Sequence, residues 1–436
     1  MDVKKGYKQT EVGVIPDDWI VKPCSAISDL ITVGIVIRPT QYYVKQGVPA
    51  LRSANIREKG INDFDMVFIS EKANKLLSKS QLRSGDVVSV RTGYPGTSAV
   101  VPPSLAGANC IDLLITRPSK SINSTFLAYW INSSHGKDQV LRNQGGLAQQ
   151  HFNVSELRNL VVAIPPTLAE QQAIAEALSD ADALLESLEH LLAKKRQIKQ
   201  GAMQELLTGR RRLEGFEKKT GYKQTELGLI PEDWEIKRLG ELFEITSSKR
   251  VFQSEWKNKG IPFYRARELA VLGENGFVRN ELFISKEMYE NFKKTYGVPK
   301  IGDMLVTGVG TLGKVYVVPD DQEFYFKDGN IIWFQNSGKV NSDFLRQLYL
   351  TPLIMKQIED ASAGTTVGTY TISGAKKTII PYPYLDEQTA IADILSDMDA
   401  EIAALEAKLV KARQVKQGMM QELLTGRIRL NRDWKD

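Results

Sequence analysis

The sequence has little of what catalysis and secretion require. Its 436 residues include only two cysteines, Cys24 and Cys110, and three histidines. Two thiols make no disulfide framework, and a reducing cytoplasm is the natural compartment for them. His135, His151 and His190 do not cluster with the cysteines, and neither cysteine is set beside a histidine in a nucleophile pattern. The spacing therefore argues against both a zinc site and thiol catalysis. No run of about 18 apolar residues occurs, and the opening MDVKKGYKQTEVG has no apolar signal core. Both facts argue against secretion and membrane insertion. No GxxxxGK[ST] phosphate loop is present. GVGTLG at 308–313 spells GxGxxG but lies between two strand-like runs, so it reads as a turn rather than a dinucleotide site. The adjacent acids Asp17–Asp18 and Asp320–Asp321 have the character of turn and capping residues. EWK (255–257) and EAK (406–408) end a nuclease-like pattern without its upstream acid, and IPPT (164–167) lacks the Asn or Asp of an amino-methyltransferase motif. No catalytic constellation emerges.

What the chain does have is length, mild basicity and repetition. A chain of this size suits two or more domains. Hydrophobic content of 42% and charged content of 25% are those of a globular protein, and the net charge of +5 permits a nucleic-acid partner without demonstrating one. GYKQTEVGVIPDDW (6–19) returns as GYKQTELGLIPEDW (221–234), with 11 of 14 positions identical. The segment 170–213, ending KQGAMQELLTGRRRL, returns at 387–430, ending KQGMMQELLTGRIRL, with 29 of 44 identical. Between them, 20–169 and 235–386 are nearly equal in length yet share little. Faint echoes survive: GVPALRSANI (47–56) parallels GIPFYRARELA (260–270), and SGDVVSVRTGYPGTSAVVP (84–102) parallels IGDMLVTGVGTLGKVYVVP (301–319). The two variable segments are thus expected to share a fold and differ in surface.

Prolines at 165–166, 381 and 383 end each variable segment, and helical periodicity follows. Ile174, Leu178, Leu185, Leu188 and Leu192 form one narrow apolar seam; Ile391, Leu395, Ile402, Leu405 and Leu409 form the other. The pattern predicts two helices of about 40 residues that pack on one another as a coiled coil, antiparallel with the variable domains at opposite ends. The competing expectation is that each helix packs only on its own domain. Thr208–Gly209 and Thr425–Gly426 supply helix stops.

The variable segments read as mixed α+β domains, with strand-like DVVSV (86–90), SAVVP (98–102), DMLVT (303–307) and KVYVV (314–318), and helical pieces at 124–133 and 342–350. Basic, aromatic and amide residues interleave in both. In the first, the candidates for DNA contact are Arg38, Gln41, Tyr42, Tyr43, Lys45, Arg52, Asn55, Arg91, Tyr94, Gln149, Gln150 and His151. In the second they are Lys249, Arg250, Trp256, Lys257, Arg265, Arg267, Lys314, Thr365 and Thr366. Arg, Asn and Gln can read base edges, and Lys, Ser and Thr suit phosphates. An ordinary solvated surface remains the competing reading for any one of them.

The GYKQTE-G-IP-DW openings, the PP-LAEQQAIA and P-LDEQTAIA helix starts and the KQGxMQELLTGR endings resemble the specificity subunit (HsdS) of type I restriction–modification systems, across the whole chain. The resemblance implies an α+β architecture with a pseudo-two-fold internal repeat. A first target recognition domain would span 1–166 and a central helix 167–214. A second domain would span 215–383 and a C-terminal helix 384–436. It implies that each domain binds one half of a bipartite sequence in double-stranded DNA and that the coiled coil sets the gap. It further implies two modification (HsdM) subunits, restriction (HsdR) subunits, and S-adenosylmethionine, ATP and Mg held by those partners rather than by this chain. The specificity subunit itself would be non-catalytic, cytoplasmic and without a metal or membrane role. Two alternatives stand beside this: a coiled-coil scaffold that assembles proteins without reading DNA, and an enzyme with a site of unfamiliar type.

Overall fold

The computed structural model describes residues 4–142, 151–279, 282–362 and 368–430. Contacts divide the chain into two compact units, Met1–His190 with Ala407–Asp436, and Leu191–Glu406.

The first unit begins with the repeated opening. Tyr7–Thr10 and Gly13–Pro16 pair antiparallel, and the chain then turns so that Trp19 is fully buried. A central antiparallel sheet follows, in the order Ser98–Val100, Val87–Val90, Leu113–Pro118, Ser28–Val33. Side chains alternate across a strand, and here both faces are covered. Val87 and Leu114 enter a core shared with Trp19 and Phe126, while Val88, Val90, Leu113 and Ile115 enter a second core with Leu51 and Cys110. This explains the nearly unbroken apolar spelling of these strands. A smaller mixed sheet joins Asn109–Cys110, Val48–Leu51, Val67–Ile69 and Tyr43–Val44.

The second unit repeats the plan on different residues. Tyr222–Thr225 and Gly228–Pro231 form the hairpin, and Trp234 is buried. Its central sheet runs Phe243–Thr246, Ile331–Asn336, Met304–Thr307, Val315–Val317. Met304, Val306, Ile332 and Phe334 face the Trp234 core; Leu305, Ile331 and Trp333 face a second core. The weak echoes in the sequence fall on matching strands, Val48–Leu51 with Ile261–Tyr264 and Val87–Val90 with Met304–Thr307. Where the first unit makes a short hairpin at Ile56–Arg57 and Gly60–Ile61, the second makes a helix, Ala266–Asn275.

The two long helices span Leu168–Leu206 and Leu385–Leu423, 39 residues each. Their opening turns belong to the domains. Ile174 and Leu178 are part of the Trp19 core, and Ile391 and Leu395 part of the Trp234 core. Packing on the domain thus holds for these seam positions. Further along, Leu185, Leu188, Leu192 and Leu409 are buried, while Ile402 and Leu405 are half-buried. In the first unit Lys416 pairs with Asp182 at 2.6 Å and Arg413 with Glu189 at 2.8 Å. In the second, Lys199 pairs with Asp399 and Arg196 with Glu406, both at 2.5 Å. In each set the residue number falls along one helix as it rises along the other, so the paired segments run with opposite polarity.

Each long helix ends in Leu-Leu-Thr-Gly, and the ending docks on a hairpin. Leu206 and Leu207 are buried with Trp234, and Leu423 and Leu424 with Trp19. Gly209 and Gly426 take left-handed φ values of 69° and 66°. A Cβ on Gly209 would lie 2.5 Å from Pro231 Cγ, and one on Gly426 would lie 2.6 Å from Pro16 Cγ. Both conformation and space therefore require glycine. Gly209→Ala is expected to destabilise the second unit, and Gly426→Ala the first, by about 2–4 kcal/mol each. Hydrogen exchange followed separately in the two units checks this, and an equal loss in both units from either variant would contradict it.

Candidate nucleic-acid interface

Several candidate residues of the first unit lie at the turn between Val87–Val90 and Ser98–Val100. Gly93 and Gly96, at φ 94° and 86°, frame it. Gly96 N–H donates to Val90 O (3.0 Å) and Val90 N–H to Thr97 O (2.8 Å). The tip carries Tyr94, 82% exposed. Arg91 Nη1 donates to the Asp112 carboxylate, and Thr92 Oγ1 bonds His151 Nδ1 at 2.9 Å. Beside the turn lies a groove of about 460 Å³ lined by Ser53, Arg57, Thr92, Tyr94 and Thr97. Arg52, next in sequence to the lining residue Ser53, donates from Nη2 to Asp65 Oδ2 at 2.7 Å. Arg38, Gln41 and Lys45 are exposed on the preceding loop.

Other candidates are drawn inward. Tyr42 and Tyr43 are half-buried against the small core of Ile35, Ile69 and Ile111. Asn55 requires a correction. It is fully buried, its Oδ1 accepts from Arg52 N–H and its Nδ2 donates to Phe64 O, so it shapes the loop and cannot meet a base. Gln149 and Gln150 lie outside the described residues, as do Thr365 and Thr366.

In the second unit the basic residues are more fully engaged. Arg250 Nε donates to Asp328 Oδ2 at 3.1 Å, and Lys249 Nζ lies 4.7 Å from the Tyr296 ring centre. Arg265 and Arg267 both pair with the buried Glu268, at 2.6 and 3.1 Å. Lys314 pairs with Glu274. Trp256 is half-buried with its ring 6.2 Å from that of Phe263, which makes it a packing residue, and the Lys257 side chain is exposed.

The sequence reading overlooked Asp65 and Asp112, whose only signal is the tolerance of aspartate for left-handed backbone. It also overlooked a lock that the repeat itself spells. Arg212, just past the first long helix, donates to Asp233 (2.7 Å) and Glu387 (2.7 Å), with side-chain exposures of 7%, 1% and 1%. Arg429 does the same for Asp18 (2.9 Å) and Glu170 (2.7 Å) in a more exposed setting. Burial opposes the Arg212 charge, but its hydrogen bonds outweigh this and it holds its proton more tightly than a free arginine. Burial likewise raises Asp233, while hydrogen bonds from Arg212 and from Lys218 N–H bring it below the usual carboxylate range. The neighbouring Gln171 and Gln388, identical in both repeats, are buried and bind the backbone N–H of Asn123 (2.8 Å) and Asn341 (3.0 Å).

Two grooves use the repeated helix ends. In the first unit, Lys416, Gln417, Met420 and Gln421 face Ser133 and Lys137 across about 350 Å³. In the second, Gln200, Met203, Gln204 and Leu207 face Leu350 and Leu353 across about 460 Å³. Burial pushes the Cys24 thiol up to about 12 and Cys110 higher still, so neither is poised as a nucleophile. Among the described residues, no group of His, Cys, Asp and Glu is placed to hold a metal, and no helix is long and apolar enough to cross a membrane.

Two copies of one architecture, with repeated frames and unlike loops, match a known pattern. The family described as Type I restriction modification DNA specificity domain matches residues 16–200 and again 231–412. The chain belongs to this family. The type I restriction enzyme MjaX specificity subunit of Methanocaldococcus jannaschii is 27% identical over 442 residues, covering 98% of this chain and 97% of its own. The EcoKI specificity subunit of Escherichia coli is 28% identical over 200 residues, covering 43% and 40%. The fold is also that of the type I restriction–modification S subunit crystal structure from M. genitalium, with a TM-score of 0.57 at 14% identity over 97% of this chain and 98% of that one.

For this specificity-family chain the Arg212 lock sets a pH dependence. Asp233 is depressed in the folded state, so its stabilisation is complete above the unfolded value of about 3.9 and is lost as pH falls through the lower folded value. Arg212→Leu leaves two buried carboxylates unpaired, an expected cost of about 3–5 kcal/mol at neutral pH. Unpaired burial raises carboxylate pKa, so the stability gap between that variant and the parent chain should narrow as pH falls from 7 toward about 5. Urea midpoints across pH check this.

Proposed function

We propose that this chain is the DNA-reading specificity subunit of a type I restriction–modification complex, recognising a bipartite, asymmetric target with one half per unit. The observation that carries the reading is the division of labour between frame and loops. The hairpins, the helix ends and their ion pairs recur residue for residue, while the loops around Tyr94 and those around Lys249 and Arg250 do not. A shared frame with unlike faces is what reading two different DNA segments at one fixed separation requires. Phosphate contacts from exposed Lys and Arg supply affinity, and a few loop side chains supply discrimination.

The long helices form an antiparallel coiled coil in this reading, supported by the opposed polarity of the ion pairs within each unit, and their length sets the spacer between half-targets. The two helix-end grooves serve two copies of one partner, the modification subunit. Gln200 and Gln417, and Gln204 and Gln421, line the grooves in matching positions, and a surface kept identical twice fits a partner that binds twice. The partners supply S-adenosylmethionine binding, adenine methylation and, with restriction subunits, ATP- and Mg-dependent cleavage; this chain contributes no catalytic group. Adenine methylation requires the base to leave the stack, so the subunit's task is to hold the duplex while its partner flips the base.

Exchange of residues 20–169 for the matching segment of another family member should change one half of the methylated motif and leave the other half intact. Methylome sequencing of cells expressing the chimaera with the modification subunit reads this directly. Changes in both halves, or methylation without sequence preference, would overturn the reading in favour of a scaffold.

A further inference from the structure

The backbone of the first unit is strained at one place that its own contacts do not explain. Among the described residues only Arg38, Asp65 and Asp112 are non-glycine residues with positive φ, and all three belong to the first unit. Asp65 and Asp112 are aspartates, which tolerate that conformation, and each grips an arginine, Arg52 and Arg91. Arg38 has neither excuse. It sits at φ 42°, ψ 55° and is followed by Pro39, whose ring further disfavours compact conformations in the preceding residue. Among the described residues its side chain makes no hydrogen bond or ion pair.

The loop that delivers Arg38 is pinned at its base, at Gly34 and Ile35. Gly34 N–H donates to Leu113 O and Ile35 N–H to Cys110 O, both at 2.8 Å, and Asp112 N–H donates back to Ile35 O at 3.0 Å. Gly34 lies so close to the neighbouring strand that a Cβ would be 2.4 Å from Cys110 O. Asp112 also holds Arg91, so the Arg38 loop and the Tyr94 turn share one anchor. Beyond that anchor Ile37 is 74% exposed. The second unit treats the matching loop differently. After Phe243–Thr246, residues 247–252 contain no positive φ, and Arg250 is tied to Asp328.

Strained residues persist where the surrounding structure over-determines them, and they concentrate at functional sites. A phosphate contact needs only charge, which a flexible lysine supplies without strain. A planar guanidinium projected from a strained, exposed turn and left without a partner in the protein instead suits bidentate recognition of guanine N7 and O6 in the major groove. Resting on the DNA-reading function proposed above, we infer that Arg38 is a specificity-determining residue that reads a guanine in the half-target of the first unit, with Asp112 positioning its loop.

The test uses the full chain assembled with its modification subunits, methylating a randomised duplex library that is then sequenced. Arg38→Lys keeps the charge and Arg38→Gly removes the strain. Both should relax discrimination at one G·C pair of one half-target by roughly tenfold to a hundredfold while leaving the other half unchanged. Arg38→Gly should leave the thermal midpoint of the first unit unchanged or higher, because glycine accepts the left-handed backbone. Full retention of stringency in Arg38→Lys would overturn the inference in favour of a phosphate contact. Equal loss in both halves, or a lowered midpoint for Arg38→Gly, would also overturn it. Absence of any sequence preference in the unaltered complex would instead sink the DNA-reading function itself.

Discussion

The structure depends on a glycine seated against a proline and a tryptophan. Gly209 meets Pro231 and Trp234, and Gly426 meets Pro16 and Trp19, at distances that no other residue could match. That contact lets a helix terminate inside a hairpin instead of fraying into solvent. Leu206 and Leu207, or Leu423 and Leu424, can then complete a domain core. Without the seat, the arginine that follows could not reach its two carboxylates, and the opening of the other long helix would lose the group that ties it down.

From the seat outward, the repeated residues form a chain of dependencies. Arg212 fixes the start of one helix through Glu387, and the adjacent Gln388 fixes the helix beginning at Ser342 through the backbone of Asn341. Farther along, Lys199 and Asp399 hold two helices together, and Gln347 donates to the other oxygen of Asp399 at 2.8 Å. In the first unit Lys416 and Asp182 play these parts, with Tyr129 in place of Gln347. These polar residues are buried or half-buried and joined to one another, and such networks help to specify a unique arrangement. The loops carry no such obligation, so they can vary without loosening the frame.

This division explains what was legible in the sequence. The long helices, the glycine stops and the strand-like runs were legible because each follows from periodicity or from a residue with a single physical use. The repeat was legible because identity at fixed spacing needs no structure to detect. The partners of the repeated polar residues were not, because Asp18 and Arg429 stand at opposite ends of the sequence and only folding joins them. The contact residues suffered most. Asn55 has the composition of a base reader, yet its amide is consumed by the turn it builds, while Asp112 has no striking sequence context and organises two loops. Side-chain type reports what a residue can bond, and only the backbone decides whether those bonds remain available.

The first unit draws on two stretches far apart in the sequence, whereas the second is one continuous stretch. Leu423, Leu424 and Gly426 pack beneath Trp19, so during synthesis the earliest core to begin is the last to close. On the ribosome the second unit has all its segments in hand while the first still exposes the pocket around Trp19. Domains generally fold as their residues emerge, and here the order is inverted for the amino-terminal one. A chain interrupted before Leu423 would have every segment of the second unit but lack the helix end that packs on Trp19 in the first.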